Sequence, residues 1–374
     1  MFEAIYARGA VAEQLSDRAW LRALVDVEVA LARALADLGE IPEEIAIKIV
    51  AGARDIDRIG VDRLRRSLAE HATPVIGLVA ALRDALGPPA AEYVHAGATS
   101  QDIVDTALML LVRRALDPLL AELDGAAEAA ARLAAEHRET PMIARTLLQQ
   151  ALPTTFGLHA AGWLDGLDEV RGHLVHVREA ECAVQMGGPV GGRDPRVAAR
   201  VASELGLVEP VMGWATIRVR TALTASVLGV GAGVLGKIAR DVTLLSQTEV
   251  AEVAEGRAGG SSAMPDKRNP VASVAVLACV TRVPGLVATM LGAMGQEHQR
   301  AAGAWQAEWG TLPELTVLVG SAAAWARDLL EGLVVDPERM AAGRATAAMG
   351  ERPLPDGAGA LVDRALAAHE ARPR

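Results

Sequence analysis

The stretch from 220 to 255, RTALTASVLGVGAGVLGKIARDVTLLSQTEVAEVAE, contains no proline and repeats apolar residues at helical spacing throughout. Comparable segments precede it at 102–137, with a kink expected at Pro118, and at 154–185; two more follow at 271–298 and 313–333. Ordinary globular helices average roughly 11–12 residues, so segments of this length indicate a long-helix bundle. Several are apolar around much of their circumference, and such a helix must be covered on every side. Five helices of one chain cannot easily do that for each other. The pattern predicts an all-α fold whose bundle is completed by further copies of the chain.

Composition agrees with this reading. Hydrophobic residues make up 51%, charged residues 22% and aromatic residues only 3%. That suits a folded chain rich in strong helix formers and poor in strand formers. The net charge of −10 offers no basic face for phosphates, so no nucleic-acid partner is expected. Cys182 and Cys279 have no CxxC spacing, which predicts neither a metal site nor a disulfide framework and suits a reducing compartment. The first residues lack the features of a signal peptide, and cytoplasmic residence is expected. The most apolar run, 222–236, falls short of the roughly 20 residues a spanning helix needs. It reads as a helix buried on all sides in protein, and no membrane partner is expected.

Along the chain, 1–94 reads as a helical N-terminal domain broken at Gly60, Pro74 and 87–89, with a clear helix at 21–39. Residues 95–335 form the central long-helix domain. Residues 336–374 form a short, broken C-terminal segment that closes on a helix at 361–371.

Three polar islands interrupt the apolar pattern: YVHAGATSQD at 93–102, ARTLLQQALPTTFG at 144–157, and GGSSAMPDKRNP at 259–270. Each is read at or near a helix end, where unpaired backbone N–H groups can receive anions. In the third, Gly259 and Gly260 permit mobility, and Ser261 and Ser262 supply hydroxyls. The chain has only three lysines, Lys48, Lys237 and Lys267, so the one inside this loop suggests a compact ammonium at a developing negative charge.

GSSxMPxKxNP, with TSQD and RTxxQ upstream, resembles the fumarase/aspartase superfamily over nearly the whole chain. The resemblance implies a homotetramer with a twenty-helix core, active sites gathered from three subunits, and no metal or organic cofactor. It implies removal or addition of a proton beside a carboxylate. Ser261 would be the base, and Lys267 and Asn269 would grip the carboxylate of a small polycarboxylate substrate. Substrate contacts would come from His95, Thr99, Ser100, Thr146, Gln149, Ser262 and Met264, with Arg218 and Arg220 read as added carboxylate contacts or as partners in inter-subunit salt bridges. Asp102 is read first as a helix cap, Arg145 as structural, and His71 and His159 as ordinary partly buried histidines.

Lyases of the superfamily usually read RTH in the second island, whereas this chain has Leu147. Leucine moves no proton. Water and amines as leaving groups benefit from an acid by about 10²–10⁴-fold, while a carboxylate, with a pKa near about 4, does not need one. The likeness is therefore to the 3-carboxy-cis,cis-muconate cycloisomerase branch, in which a carboxylate adds to a double bond. Two positions depart from that branch: Ala215 stands in place of a histidine, and Ala96 in place of an aromatic residue. The remaining readings are a dicarboxylate lyase with a good leaving group, and a non-catalytic helical scaffold.

Overall fold

The computed structural model describes residues 3–55 and 59–372. The chain begins with two single turns, α1 (Glu3–Tyr6) and α2 (Val11–Gln14), that lie against the bundle. Four helices follow: α3 (Asp17–Asp37), α4 (Glu43–Gly52), α5 (Val61–His71) and α6 (Val75–Leu86). The bundle helices are α7 (Ser100–Glu136), α8 (Phe156–His176), α10 (Val219–Leu245), α11 (Val271–Gly292) and α12 (Ala304–Glu331), with α9 (Pro195–Leu205) between α8 and α10. Helices α13 (Pro337–Thr346) and α14 (Ala358–Ala371) complete the chain, and α14 packs on α8 and α7. Two small antiparallel sheets add β1 (Pro141–Thr146) with β2 (Gln149–Thr155), and β3 (Val253–Glu255) with β4 (Leu333–Val335).

The caps explain several helix starts. Ser16 Oγ accepts the Ala19 N–H before α3, Thr155 Oγ1 accepts the Leu158 N–H before α8, and Asp194 caps α9 ahead of Pro195. These side chains satisfy donors that a helix start leaves unpaired. Helix α7 is the axis of the chain: every residue from Gln101 to Val112 is buried, wrapped by α3, α8 and α12.

The fold is predominantly helical, as the periodicity implied, but several boundaries differ. The expected 220–255 helix stops at Leu245. The chain turns through Ala251, whose φ of 51° is left-handed, and Val253 to Glu255 pair with Leu333 to Val335. The 154–185 segment ends as α8 at His176, followed by a wider turn through Glu181. The 271–298 segment ends at Gly292, and the 313–333 segment begins at Ala304 with Pro313 inside it.

The run at 222–236 belongs to a longer helix than its apolar core suggested. Helices α10 and α11 are each long and apolar enough to cross a membrane, with mean hydropathy 1.6 and 1.9 over their richest stretches. Those stretches are only 50% and 33% buried within the chain. The apolar run is therefore not covered on all sides by its own chain.

Candidate active site

The first island is built into the core. Gly97 and His95 both have left-handed φ, 66° and 64°. The left-handed φ at Gly97 favours glycine, and a Cβ there would displace the end of the Arg193 side chain, whose Nη1 it would meet at 1.7 Å. Asp102, in the first turn of α7, accepts four N–H bonds: from the backbone of Thr99 (3.1 Å), Gly187 (2.9 Å) and Gly188 (3.0 Å), and from Gln185 Nε2 (3.1 Å). Burial raises its pKa, and those donors offset only part of the rise. Asp102 is thus a cap and an anchor, as the sequence suggested. His95 Nδ1 lies 2.7 Å from Glu28 Oε1, and the Glu28 carboxylate is 2% exposed. Burial opposes charge on the imidazole, but the hydrogen bond and charge of Glu28, with Asp102 behind, outweigh it and hold the pKa above its usual value. Thr99 and Ser100 are half-buried at the start of α7.

Arg218 is spent on the core. Its guanidinium bonds Asp105 through Nη1 (2.7 Å) and Nη2 (3.1 Å), Glu308 through Nε (2.9 Å) and Nη2 (2.6 Å), and the Ala215 carbonyl through Nη1 (3.3 Å). All five N–H donors have partners, and neither the arginine nor the two carboxylate side chains are exposed. Trp305 Nε1 and Gln101 Nε2 donate to Asp105, and the Trp214 ring lies against the guanidinium. The expectation of a substrate contact at Arg218 gives way to a buried strut joining α7, α10 and α12. Arg220 turns to another side of α10, where it bonds the carbonyl of Ala180 (2.7 Å) and the carboxylate of Glu181 (3.2 Å). Neither arginine is placed beside His95 or Ser100 by a hydrogen bond or ion pair among the described residues.

The second island is a β-hairpin rather than a helix end. Thr146 pairs with Gln149 across a two-residue turn made by Leu147 and Leu148, both with positive φ, 51° and 66°. A turn of this kind ordinarily takes Asn-Gly, because side chains resist the left-handed region. Leu147 is 96% exposed and Leu148 is 70% exposed. Arg145 grips the buried Glu252 with two bonds of 2.8 Å, which fastens the hairpin to the segment after α10 and makes Arg145 structural, as read from the sequence.

Behind the hairpin lies a groove of about 400 Å³ that His159 and Asp241 help to line. His159 Nε2 is 3.2 Å from Asp241 Oδ2, which also accepts from Trp163 Nε1 and Lys237 Nζ. Burial would raise the Asp241 pKa, but those three donors outweigh it and bring it down to about 2. Sequence spacing gave no sign of this cluster, whose members meet only when α8 packs on α10.

The third island is a closed loop. Gly259 and Asn269 exchange two backbone bonds of 2.9 Å, and Asn269 Nδ2 donates to the Gly260 carbonyl at 3.0 Å. Glu255 caps α11 behind the loop through the backbone of Ala272 and Ser273 and the Ser273 hydroxyl. Ser261 Oγ accepts from the N–H groups of Ala263 (3.3 Å) and Met264 (3.1 Å). Donors in those positions favour the serine alkoxide over the alcohol, which is what a base needs. Ser262, Met264 and Lys267 are exposed, while Ser261 and Asn269 are half-buried. Among the described residues, no hydrogen bond or ion pair joins any two of the three islands.

Comparison with known proteins decides the family. Residues 4–285 match the family described as lyase. The chain belongs to the fumarase/aspartase superfamily. It is similar to a nitrosuccinate lyase of Streptomyces davaonensis, with 46% identity over 349 residues, covering 88% of this chain and 73% of that protein. It is likewise similar to the 3-carboxy-cis,cis-muconate cycloisomerase of Pseudomonas aeruginosa, with 45% identity over 353 residues, covering 91% of this chain and 76% of that one. The crystal structure of the 3-carboxy-cis,cis-muconate lactonizing enzyme of Pseudomonas putida superposes with a TM-score of 0.89 at 34% identity, over 99% of each chain. The protein is thus an enzyme of the lyase superfamily with cycloisomerase and elimination-lyase relatives.

Proposed function

We propose that this enzyme is a 3-carboxy-cis,cis-muconate cycloisomerase that forms 4-carboxymuconolactone in protocatechuate breakdown. One carboxylate oxygen of the substrate adds to a double bond, a C–O bond forms, and the carbon beside a second carboxylate takes up a proton. Ser261 gives that proton from its hydroxyl and is left as the alkoxide that the Ala263 and Met264 N–H groups stabilise, and Lys267 and Asn269 hold the carboxylate on which charge builds up. Thr99 and Ser100, with Thr146 and Gln149, bind the remaining carboxylates. Proton transfer and anion binding suffice for this isomerisation, so it calls on no metal or organic cofactor.

The observation that carries this reading is Leu147. It stands at an exposed hairpin tip, where the wider superfamily usually has a histidine, so the tip brings no acid to a leaving group. The reacting group is then one already stable as an anion. A second reading shares that logic and is favoured by the 46% identity to a nitrosuccinate lyase. In it Ser261 removes a proton from nitrosuccinate and nitrite departs.

We also propose that copies of the chain cover the open faces of α10 and α11 and complete the site as a cytoplasmic homotetramer. The half-covered apolar helices support that arrangement, as does the lack of any hydrogen bond or ion pair between the three islands among the described residues.

The test is the ultraviolet absorbance of 3-carboxy-cis,cis-muconate over time, with wild type beside Ser261→Ala. The diene signal should fall with wild type and slow by about 10²–10⁴-fold with the variant. An untouched diene, together with nitrite released from nitrosuccinate, would transfer the assignment to the lyase.

A further inference from the structure

A groove of about 440 Å³ runs between α6 and the first island. Its apolar wall comes from α6, from Val75 to Ala80, and its polar rim from Arg83, Asp84, His95 and Ser100. We propose that this groove binds a substrate carboxylate other than the one held by Lys267 and Asn269, and that Arg83 selects tricarboxylate over dicarboxylate substrates. The inference rests on the polycarboxylate chemistry proposed above.

Arg83 carries the argument. Its Nη2 donates to the Val94 carbonyl at 3.3 Å, which fixes the guanidinium at the entrance of the first island. Among the described residues it forms no ion pair, although many of the chain's other arginines do. The adjacent Asp84 is engaged by Arg63 at 2.8 Å. A cation near the end of α6 is explained in part by the helix dipole. The dipole does not explain why a second nitrogen-bearing side chain faces the same groove.

That second group is His95. Its Nδ1 is committed to Glu28, which leaves Nε2 as the nitrogen available to a ligand. Its left-handed φ holds the side chain at the rim against the backbone's preference, the kind of local strain that accumulates at ligand sites. The two carboxylates behind the groove, Glu28 and Asp102, are buried and hydrogen-bonded, so they do not meet a ligand directly. Ser100 adds a hydroxyl at the start of α7, the helix end that favours negative charge. A guanidinium, an imidazole and a hydroxyl beside an apolar wall suit a carboxylate on a short carbon chain. The hydrogen bond at issue is charge-assisted and, with Arg83, open to bidentate geometry.

The experiment is calorimetric binding of propane-1,2,3-tricarboxylate and of glutarate, which keeps the two outer carboxylates and lacks the middle one. Wild type, Arg83→Gln and Arg83→Lys are compared, with thermal unfolding confirming that each variant is folded. Arg83→Gln should weaken the tricarboxylate by about ten- to a hundred-fold while glutarate changes by less than about two-fold. Arg83→Lys should recover part of the loss. Unchanged tricarboxylate binding in Arg83→Gln, or equal loss for both ligands, would overturn the proposal. No turnover is needed, so a wrong assignment of the reaction leaves this result readable.

Discussion

The first polar island and the other two are made in opposite ways. From Gln101 to Asp105 polar groups are locked into the chain's own core: Asp102 takes four donors, and Arg218 joins Asp105 to Glu308 with every N–H paired. At 146–149 and 260–268 the chain instead projects side chains outward: two leucines in left-handed backbone, an exposed lysine, and a serine held only by its own loop. One region is finished within a single chain. The others present functional groups to something outside it. On the proposed assembly, the half displayed at the surface is completed by further copies of the chain.

That contrast can be broken at its strongest point first. Arg218→Ala leaves Asp105 and Glu308 facing each other without a cation in a fully buried site. The fold should lose about 3–5 kcal/mol of stability, read by chemical denaturation. A loss below about 1 kcal/mol would mean that the first island is not held as described.

A smaller effect of opposite character is expected at the hairpin. Replacing Leu147-Leu148 by Asn-Gly gives the turn its preferred residues and relieves roughly 1–2 kcal/mol of backbone strain per residue. It also removes the exposed apolar tip. Sedimentation should show weaker self-association although the hairpin itself is better formed. Unchanged association would show that the tip touches no other copy.

The smallest effect concerns His95. Its folded-state pKa is raised, so the stabilisation from its pairing with Glu28 is fully present below about pH 6.5 and is lost as pH rises through the raised value. Denaturation of wild type against His95→Gln, followed from about pH 5.5 to 8.5, should show the difference shrinking as pH rises. A difference that grows with pH would reverse the sign and exclude a charged His95.

Much of this was legible before any coordinates. The long helices and the cap at Asp102 follow from periodicity and local chemistry, and the structural role of Arg145 follows from the family resemblance. Two of the misread features are decided by partners remote in sequence, and a third by an atypical turn. Arg218 reads as a free cation because Asp105 and Glu308 lie 113 and 90 residues away. The helix at 220–255 reads as continuous because nothing in VTLLSQTEVAEV breaks it; pairing with Leu333–Val335 does. The hairpin is hidden because its turn carries leucines where a turn signal would be glycine or asparagine.

The central claim is that Ser261 and the first island act together only across copies. Two inactive variants, Ser261→Ala and a Thr99→Ala/Ser100→Ala double, are unfolded together, refolded as an equal mixture and assayed. Random assembly should restore about a quarter of wild-type activity, because that share of sites draws both intact islands from different copies. A mixture as inactive as either parent would place the whole site within one chain and contradict this account.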